Sequence, residues 1–163
     1  ILGKKEILKK IEDKEIIIKP FNKRNIGDAS IDLTLDDEFR IFTKQSYNAN
    51  ADYQKVSRLI KQKEIILQPE DFVLGITKEH IKLPDNLCGW LEGRSKYARL
   101  GITIHITASF LHPGIDNKQV LEIKNDSNST IKLKAGMKIC QLILEELKGQ
   151  EVYAGIYRHQ RRL

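Results

Sequence analysis

The sequence predicts a mainly β protein, folded as a sandwich or barrel of short strands. Segments of alternating polar and apolar residues follow one another at close spacing, and turn residues such as Pro113-Gly114 and Ala135-Gly136 separate them. The clearest alternation covers residues 102–108, where four apolar side chains share one face. Only two short helices are expected, one near the start of the sequence and one near its middle.

The first third of the chain predicts a helix followed by two strands and a loop. Residues 4–13 place apolar side chains on one face with lysines and glutamates around them, which is typical of an amphipathic helix. Residues 29–35 alternate as a strand, and Asp36-Asp37 predicts a turn into a second strand over residues 38–42. Residues 47–63 are polar and weakly periodic, so we expect a surface loop there.

The rest of the chain predicts short strands separated by turns. Alternating or β-branched segments indicate these strands at residues 64–67, 72–77, 87–91, 119–123, 131–133 and 137–144. In the strand over residues 119–123, Val120 and Glu122 share one face, while Leu121 and Ile123 share the other. Glu122 is therefore a carboxylate within a strand.

Length and composition favour one globular domain, residues 1–163, with residues 150–163 as a C-terminal tail. The chain is long enough for one core and too short for two, and 40% hydrophobic with 31% charged residues is ordinary for a globular protein. No apolar run approaches the roughly 20 residues that span a bilayer, and nothing at the N-terminus resembles a signal peptide. We expect a cytoplasmic protein that does not bind membranes.

The formal net charge of +6 favours anionic partners but does not distinguish nucleotides from nucleic acid. Basic residues are scattered, and no stripe interleaves them with aromatic residues as in proteins that bind nucleic-acid strands. We therefore expect no nucleic-acid partner. The two cysteines, Cys88 and Cys140, stand in apolar surroundings without a metal-binding spacing, which predicts buried free thiols.

The central segment, residues 93–101, begins and ends with glycine and predicts a helix of about one and a half turns with Ser95 as its N-cap. Ser95 and Arg99 are four residues apart and lie on one face of that helix. Backbone N–H groups at the helix start, together with Arg94 and Lys96, would favour an anion.

Glu122, Ser95 and Arg99 are a carboxylate, a hydroxyl and a guanidinium, which together can hold and activate a water beside a phosphorylated ligand. Spacing alone leaves other roles open. Ser95 could be only a helix cap, Arg99 only a surface charge and Glu122 only a solvent-facing strand residue.

The order of several short motifs decides between these interpretations. The motifs are Gly93-Arg94-Ser95, Ala98-Arg99-Leu100-Gly101, His105-Ile106-Thr107-Ala108, Pro113-Gly114, Leu121-Glu122 and Gly136-Met137-Lys138-Ile139. In this order they resemble the dCTP deaminase branch of the dUTPase-like superfamily. The resemblance implies a distorted β-barrel or jelly-roll-like subunit, a homotrimer with active sites between subunits, and conversion of dCTP to dUTP and ammonia. Mg²⁺ would accompany the triphosphate, with no catalytic metal.

The resemblance also implies roles for individual residues. Glu122 would be the general base and acid, Ser95 would help to hold the attacking water, and Arg99 would complete the catalytic group. The C-terminal tail would close over the active site. Substrate contacts would come from Arg94, Lys96, His105, Thr107, Ala108, Gln141, Tyr153, Tyr157, Arg158 and Gln160.

Three positions depart from the family pattern. Lys96 stands where a second serine is usual, and Ile156 stands where the tail usually has a lysine, which leaves phosphate closure to Arg158, Arg161 or Arg162. His112 precedes the Pro-Gly turn where an aspartate is usual. Because a carboxylate there would position the water that attacks phosphorus, His112 argues against release of pyrophosphate.

Zinc-dependent nucleobase deaminases need an H-x-E and a P-C-x-x-C motif, and His105 is followed here by Ile106 and Thr107 with no such cysteine pair. That class of enzyme is excluded.

Two other functions remain as alternatives. A dUTPase, or a bifunctional enzyme that releases dUMP and pyrophosphate, is the first alternative. A nucleotide-binding regulator without turnover is the second. The family resemblance also brings dTTP into consideration as an inhibitor of the enzyme.

Overall fold

The computed structural model describes residues 1–43 and 46–163. The α-helices in these ranges are α1 (Lys4–Glu12), α2 (Tyr53–Val56) and α3 (Ser95–Ala98), and a 3-10 turn spans Lys23–Asn25. The strands are β1 (Ile17–Lys19), β2 (Ile31–Phe42), β3 (Ser57–Lys61), β4 (Glu64–Leu67), β5 (Phe72–Lys82), β6 (Leu87–Gly93), β7 (Ile102–Ile104), β8 (Phe110–Leu111), β9 (Asp116–Asn125), β10 (Ile131–Lys134) and β11 (Lys138–Glu146).

One large antiparallel sheet dominates the described residues. Its strand order is β7-β9-β5-β2-β11-β6-β8, with β1 paired to β5 and β3 paired to β2, while β10 and β4 form a separate ribbon. The β2–β5, β5–β9 and β2–β11 pairings each contain a shift in register. Such bulges bend strands, so the sheet curls into half a barrel. The mainly β prediction is therefore confirmed.

The hydrophobic core lies inside the curl of the sheet. Leu121 and Ile123 of β9 are fully buried there, and Ile7 of α1 packs into the same core. Val120 and Glu122 of β9 are only half-buried and lie on the other face. The alternation expected for residues 119–123 is thus confirmed.

A smaller apolar cluster lies on the outer face of the sheet. Leu74 is opposite Glu122 in the β5–β9 register, so the two side chains share that face. Leu74, Ile76 and Leu163 are buried together, with Tyr53 packed against them. This cluster brings the end of the sequence onto the face that carries Glu122.

The predictions for the first third of the chain are partly right. The helix expected over residues 4–13 is α1. The turn expected at Asp36-Asp37 is wrong, because β2 runs through these residues as one strand with a shift in register between Leu35 and Phe39. A bulge accommodates the extra polar residues there without reversing the chain.

The surface loop expected over residues 47–63 is also wrong for much of its length. After Lys44 and Gln45, which lie outside the described residues, the chain forms α2 and β3, and β3 pairs with β2. Asp52 caps α2 by accepting a hydrogen bond from the Gln54 N–H at 3.0 Å. The weak periodicity reflects an edge strand whose side chains are mostly exposed.

Two predictions around the central segment need correction. The strand expected over residues 102–108 ends at Ile104, because His105 has a positive φ of 55°, which turns the chain out of the sheet. The helix after Gly93 exists as α3, but its N-cap residue is Arg94, without a capping bond from its side chain. Ser95 is instead the first residue of the helix.

Cys88 and Cys140 are both buried free thiols, as expected. Burial raises the pKa of the Cys140 thiol far above its usual range, with the Glu79 and Asp32 carboxylates adding to that effect. Cys140 is therefore unreactive as a nucleophile. Within the described ranges, no helix combines the length and the apolar character needed to cross a bilayer.

Candidate active site

Glu122 lies near the middle of β9, which is paired on both sides. Its main chain is opposite Leu74 of β5, and the neighbouring Ile123 is opposite Ile104 of β7. Its carbonyl also accepts a hydrogen bond from the His105 N–H at 2.8 Å. Two neighbouring strands therefore fix the backbone that carries this carboxylate.

The Glu122 side chain binds the loop that follows β7. Its Oε2 accepts hydrogen bonds from the Ile106 N–H at 2.9 Å and the Thr107 N–H at 2.8 Å. The Thr107 hydroxyl donates to Oε1 at 3.0 Å. Of the residues described, only this hydroxyl bonds to Oε1, which leaves that oxygen with a free lone pair. The carboxylate is thus oriented by three donors and can still accept a proton.

A cavity of about 370 Å³ opens beside this carboxylate. Its volume falls within the range of small-molecule sites. The lining combines aromatic, amide, charged and apolar side chains from β5, β8, β9, the loops after β7 and β8, α2 and the C-terminal tail. These residues are Tyr53, Leu74, His105, Ala108, Phe110, Leu111, His112, Ile115, Asn117, Lys118, Gln119, Val120, Glu122, Tyr153, Tyr157 and Gln160.

The C-terminal tail is packed against β9 and is not a frayed end. The Asp116 N–H donates to the Arg158 carbonyl at 3.0 Å, and the Lys118 N–H donates to the Gln160 carbonyl at 2.9 Å. The Tyr153 N–H donates to the Pro113 carbonyl at 2.9 Å. These main-chain bonds bring tail residues to the cavity wall.

The cavity brings together one part of the predicted site. Glu122, His105, Ala108, Tyr153, Tyr157 and Gln160 line it, and Thr107 bonds to Glu122. Arg158 does not line it in the described residues. Its Nε donates to the Gly114 carbonyl at 3.1 Å, so its side chain fastens the tail to the Pro113-Gly114 turn.

The other part of the predicted site lies elsewhere on the chain. None of the residues expected from the central segment and from β11 lines the cavity; these residues are Arg94, Ser95, Lys96, Arg99 and Gln141. Ser95, Lys96 and Arg99 are exposed at α3.

Arg94 and Gln141 are bound to neighbouring strands of the same chain. Arg94 Nε lies 3.2 Å from Asp32 Oδ1, and its Nη1 donates to the Lys138 carbonyl at 3.1 Å. Gln141 Nε2 donates to the Gly93 carbonyl at 3.3 Å. Within one chain, the structure therefore does not unite Ser95 and Arg99 with Glu122 around the cavity.

Several residues that line the cavity could not be recognised as site residues from the sequence. Tyr53 comes from the segment predicted as a loop. Asn117 and Gln119 lie on β9, where polar residues on an outer face are ordinary. Asn117 is buried, and its Nδ2 donates to the Tyr157 carbonyl at 2.7 Å, which joins β9 to the C-terminal tail.

His112 contributes an aromatic ring to the wall of the cavity. Its ring stacks on the Tyr153 ring, with centroids 4.6 Å apart and planes 8° from parallel, and it meets the Phe110 ring edge-on, with centroids 4.9 Å apart. Among the described residues that line the cavity, Glu122 is the single carboxylate. The position before Pro113 therefore supplies stacking and no negative charge.

His105 is a mostly buried imidazole beside Glu122. Burial lowers the pKa of His105 below its ordinary value, and the Glu122 carboxylate opposes part of that shift. Its Nδ1 is buried and has no hydrogen-bond partner among the residues described. The folded protein therefore favours the neutral ring. Burial and the Arg161 guanidinium lower the pKa of His80 as well.

These histidines make stability depend on pH. A group whose pKa is lower in the folded state holds fewer protons than in the unfolded chain, so stability is lost as pH falls below about 6.5. We expect His105→Asn to reduce the loss of unfolding free energy between pH 7 and pH 5, because asparagine tolerates positive φ and does not titrate there. Urea unfolding at both pH values would measure this loss.

The exposed His159, changed to asparagine, is the control for this measurement. If His105→Asn lost as much unfolding free energy between pH 7 and pH 5 as the His159→Asn control, His105 would not be a cause of the pH dependence. His80 would keep part of the pH dependence in either variant, because its pKa is lowered in the same direction.

The residues described include no group of three or more His, Cys, Asp or Glu side chains placed to hold a metal ion. Two aspartates beside cavity-lining residues of β9 are already ion-paired. Lys118 Nζ lies 2.7 Å from Asp36 Oδ2, and Arg161 Nη2 lies 3.0 Å from Asp116 Oδ1. Glu122 alone does not form a metal site.

The curled sheet has counterparts among solved structures. It aligns with the 2′-deoxycytidine 5′-triphosphate deaminase from Agrobacterium tumefaciens at a TM-score of 0.70 and 16% identity, over 88% of this chain and 47% of that one. The chain thus spans about half the length of that protein. A mutant dUTPase from phage phi11 of S. aureus, in which a structural Mg(II) ion is coordinated, aligns at a TM-score of 0.53 and 14% identity, over 86% and 96% of the two chains. The protein has a dUTPase-like fold.

Sequence comparison defines the group within that fold. The family model for dCTP deaminase-like proteins matches residues 1–147. A dUMP-forming dCTP deaminase from Methanobrevibacter smithii is 34% identical over 156 residues, which cover 90% of this chain and 80% of the relative. A dCTP deaminase from Marinomonas sp. is 36% identical over 160 residues, covering 89% and 82%. The chain belongs to the dCTP deaminase-like family.

Proposed function

We propose that the protein deaminates dCTP, with Glu122 as the group that transfers protons. The carboxylate beside the cavity carries this proposal. It is fixed by strands on both sides, oriented by three hydrogen-bond donors and exposed to a space large enough for a small ligand. The family and the names of its members supply the substrate.

In this mechanism, Glu122 takes a proton from a water molecule as the water oxygen attacks C4 of the cytosine ring. The same carboxyl group delivers this proton to N3, then takes a second proton from the new C4 hydroxyl and passes it to the exocyclic nitrogen, so that C4 becomes a carbonyl. The bond between C4 and that nitrogen breaks, and ammonia leaves. The atoms of dCTP and one water are thus divided between dUTP and ammonia, and Glu122 returns to its carboxylate form.

The base would be recognised by the loop after β7. We propose that the Ala108 carbonyl accepts a hydrogen bond from the exocyclic amine, with His105 packed nearby. Both residues line the cavity. Thr107 was expected to bind substrate, and its hydrogen bonds to both oxygens of Glu122 support a role in orienting the carboxylate.

A second copy of the chain would complete the site. We propose a homotrimer in which Ser95 and Arg99 of one subunit reach Glu122 of the next, with Ser95 holding the attacking water. The exposure of both residues and their absence from the cavity lining within one chain support this arrangement. Arg94, Lys96 and Gln141 lie on or beside the same surface and would meet the phosphates.

The C-terminal tail would cover the nucleotide through Tyr153, Tyr157 and Gln160. Mg²⁺ would enter with the triphosphate, where it would neutralise part of the phosphate charge. The described side chains provide no donor set of their own for this ion, so phosphate oxygens and water would supply its ligands.

The final product distinguishes two candidates. The absence of a second carboxylate among the described cavity residues favours release of dUTP. The names of relatives favour the alternative, since the Methanobrevibacter smithii protein is dUMP-forming, whereas the Marinomonas protein is named as a dCTP deaminase without that addition. Only the composition of the cavity therefore supports dUTP as the final product.

Purified protein incubated with Mg²⁺ and either dCTP or dUTP would test both candidates. We expect dCTP to give dUTP and ammonia, and dUTP to remain unchanged; separation of the nucleotides by chromatography would show this. Formation of dUMP and pyrophosphate from either nucleotide would establish the bifunctional alternative. Binding of dCTP without ammonia release would exclude both.

A further inference from the structure

We infer that Arg40 is a positioning residue that fastens the C-terminal tail over the cavity, so that nucleotide affinity depends on this buried guanidinium. The inference rests on the proposed function in one respect, since it takes the cavity as the nucleotide site. The mechanism proposed above assigns no role to Arg40.

The position of Arg40 is unusual for a charged side chain. The residue lies on β2 and is only 8% exposed. Its Nη2 donates to the main-chain oxygen of Leu163 at 3.2 Å, and its Nη1 donates to the Ser57 hydroxyl at 3.3 Å and to the Gln54 carbonyl at 3.5 Å. Its Nε is buried without a hydrogen-bond partner among the residues described. A buried charge with an incomplete set of partners is costly, so each bond that it does form matters.

Tyr53 joins Arg40 to the cavity. The guanidinium lies 5.5 Å from the centre of the Tyr53 ring, a distance typical of a cation–π contact. The Tyr53 hydroxyl is 3.3 Å from Gln160 Nε2, which can donate to it. Tyr53 and Gln160 both line the cavity. Arg40 therefore holds the tail directly through Leu163 and indirectly through Tyr53.

The end of the tail is buried at the same place. Leu163 is 4% exposed and packs with Leu74 and Ile76 of β5, on the face of the sheet that carries Glu122. Ordering a segment of this length costs conformational entropy at every residue. The main-chain bonds to β9, the burial of Leu163 and the Arg40 contact must together exceed that cost. Loss of the Arg40 contact would shift the tail towards a detached state.

The test compares Arg40→Met with Arg58→Met. Methionine fills much of the space of Arg40 without leaving an unpaired charge. Arg58 lies exposed on β3 and serves as the matched control. Hydrogen–deuterium exchange without nucleotide should show tail amides exchanging about tenfold faster or more in Arg40→Met, the size expected for losing a bond to a charged group. In Arg58→Met they should exchange as in the unchanged protein.

Kinetics give a second measurement. We expect the KM for dCTP to rise about tenfold in Arg40→Met while kcat changes by less than about threefold, because the tail contributes to binding and not to proton transfer. Tail exchange equal to that of the unchanged protein would overturn the inference. Faster exchange throughout β9 would also overturn it, since Arg40 would then support the sheet as a whole.

Arg40→Lys provides a second variant in case methionine prevents folding. Lysine keeps the charge but lacks the planar group that reaches Leu163 and Ser57 together, so it should also release the tail. If the unchanged protein does not deaminate dCTP, the proposed function fails, and the exchange experiment still decides whether Arg40 fastens the tail.

Discussion

With Glu122 replaced by glutamine, the protein is expected to fold and bind dCTP but to release ammonia about 10²–10⁴ times more slowly, the range that general acid–base catalysis contributes. Glutamine cannot take a proton from water at neutral pH. Ammonia release measured at saturating dCTP, together with dCTP affinity, would separate loss of chemistry from loss of binding.

Glutamine is the appropriate replacement because it keeps the contacts of Glu122 with the loop after β7. Its oxygen can still accept the Ile106 and Thr107 N–H bonds, and its amide can donate to the Thr107 hydroxyl. Alanine would release the loop as well. The two causes of lost activity would then be mixed.

Glu145→Gln is the matched control for this experiment. Glu145 is a half-buried glutamate within β11, another strand of the large sheet, and it does not line the cavity. It should keep full activity. Ammonia release by Glu122→Gln at the rate of the Glu145 control would exclude Glu122 as the proton carrier and would move the search to His105.

Two inactive proteins are expected to regain activity when their subunits are mixed. Glu122→Gln damages one part of the proposed site, and Arg99→Ala damages the part expected from a neighbouring subunit. In a randomly mixed trimer, about one quarter of the sites would contain an intact Glu122 and an intact Arg99. Ammonia release should therefore rise from near zero to roughly a quarter of the unchanged level after the subunits are dissociated, mixed and reassembled.

The control mixture contains Glu122→Gln subunits and subunits with both substitutions. No site in that mixture has an intact Glu122, so it should stay inactive. An inactive result for the first mixture, with mixed trimers confirmed by mass spectrometry, would mean that Arg99 and Glu122 act within one chain or that Arg99 has no catalytic part. The lost activity of Arg99→Ala would then have to come from a disturbance of α3.

The position of Glu122 could be predicted because apolar and charged residues alternate over residues 121–124, and the mainly β fold because similar alternating segments recur along the chain. Leu121 and Ile123 must face the core, which leaves Glu122 on the other face whatever the neighbouring strands are. The order of the short motifs indicated both the family and the importance of Glu122. Each motif consists of residues that are close in the sequence, so its recognition requires no knowledge of contacts between distant segments.

Other parts of the site depend on contacts between distant segments, which local patterns do not record. Tyr53 reaches the cavity because β3 pairs with β2, and nothing in the polar residues around it indicates that pairing. β7 ends at Ile104 because His105 has a positive φ, although polar and apolar residues continue to alternate in the sequence as far as Ala108. The roles of Ser95 and Arg99 stay predictions, because a single chain does not bring them to Glu122.

The pairing of β9 on both sides also bears on how such a protein can change over evolution. The Glu122 carboxylate stands on a strand held from both sides, whereas eight of the fifteen other cavity-lining residues come from α2, the loops after β7 and β8, and the C-terminal tail. Loops accept substitutions and insertions more readily than central strands. The parts that come from loops can therefore diverge without displacing Glu122, so that one scaffold can serve several chemistries.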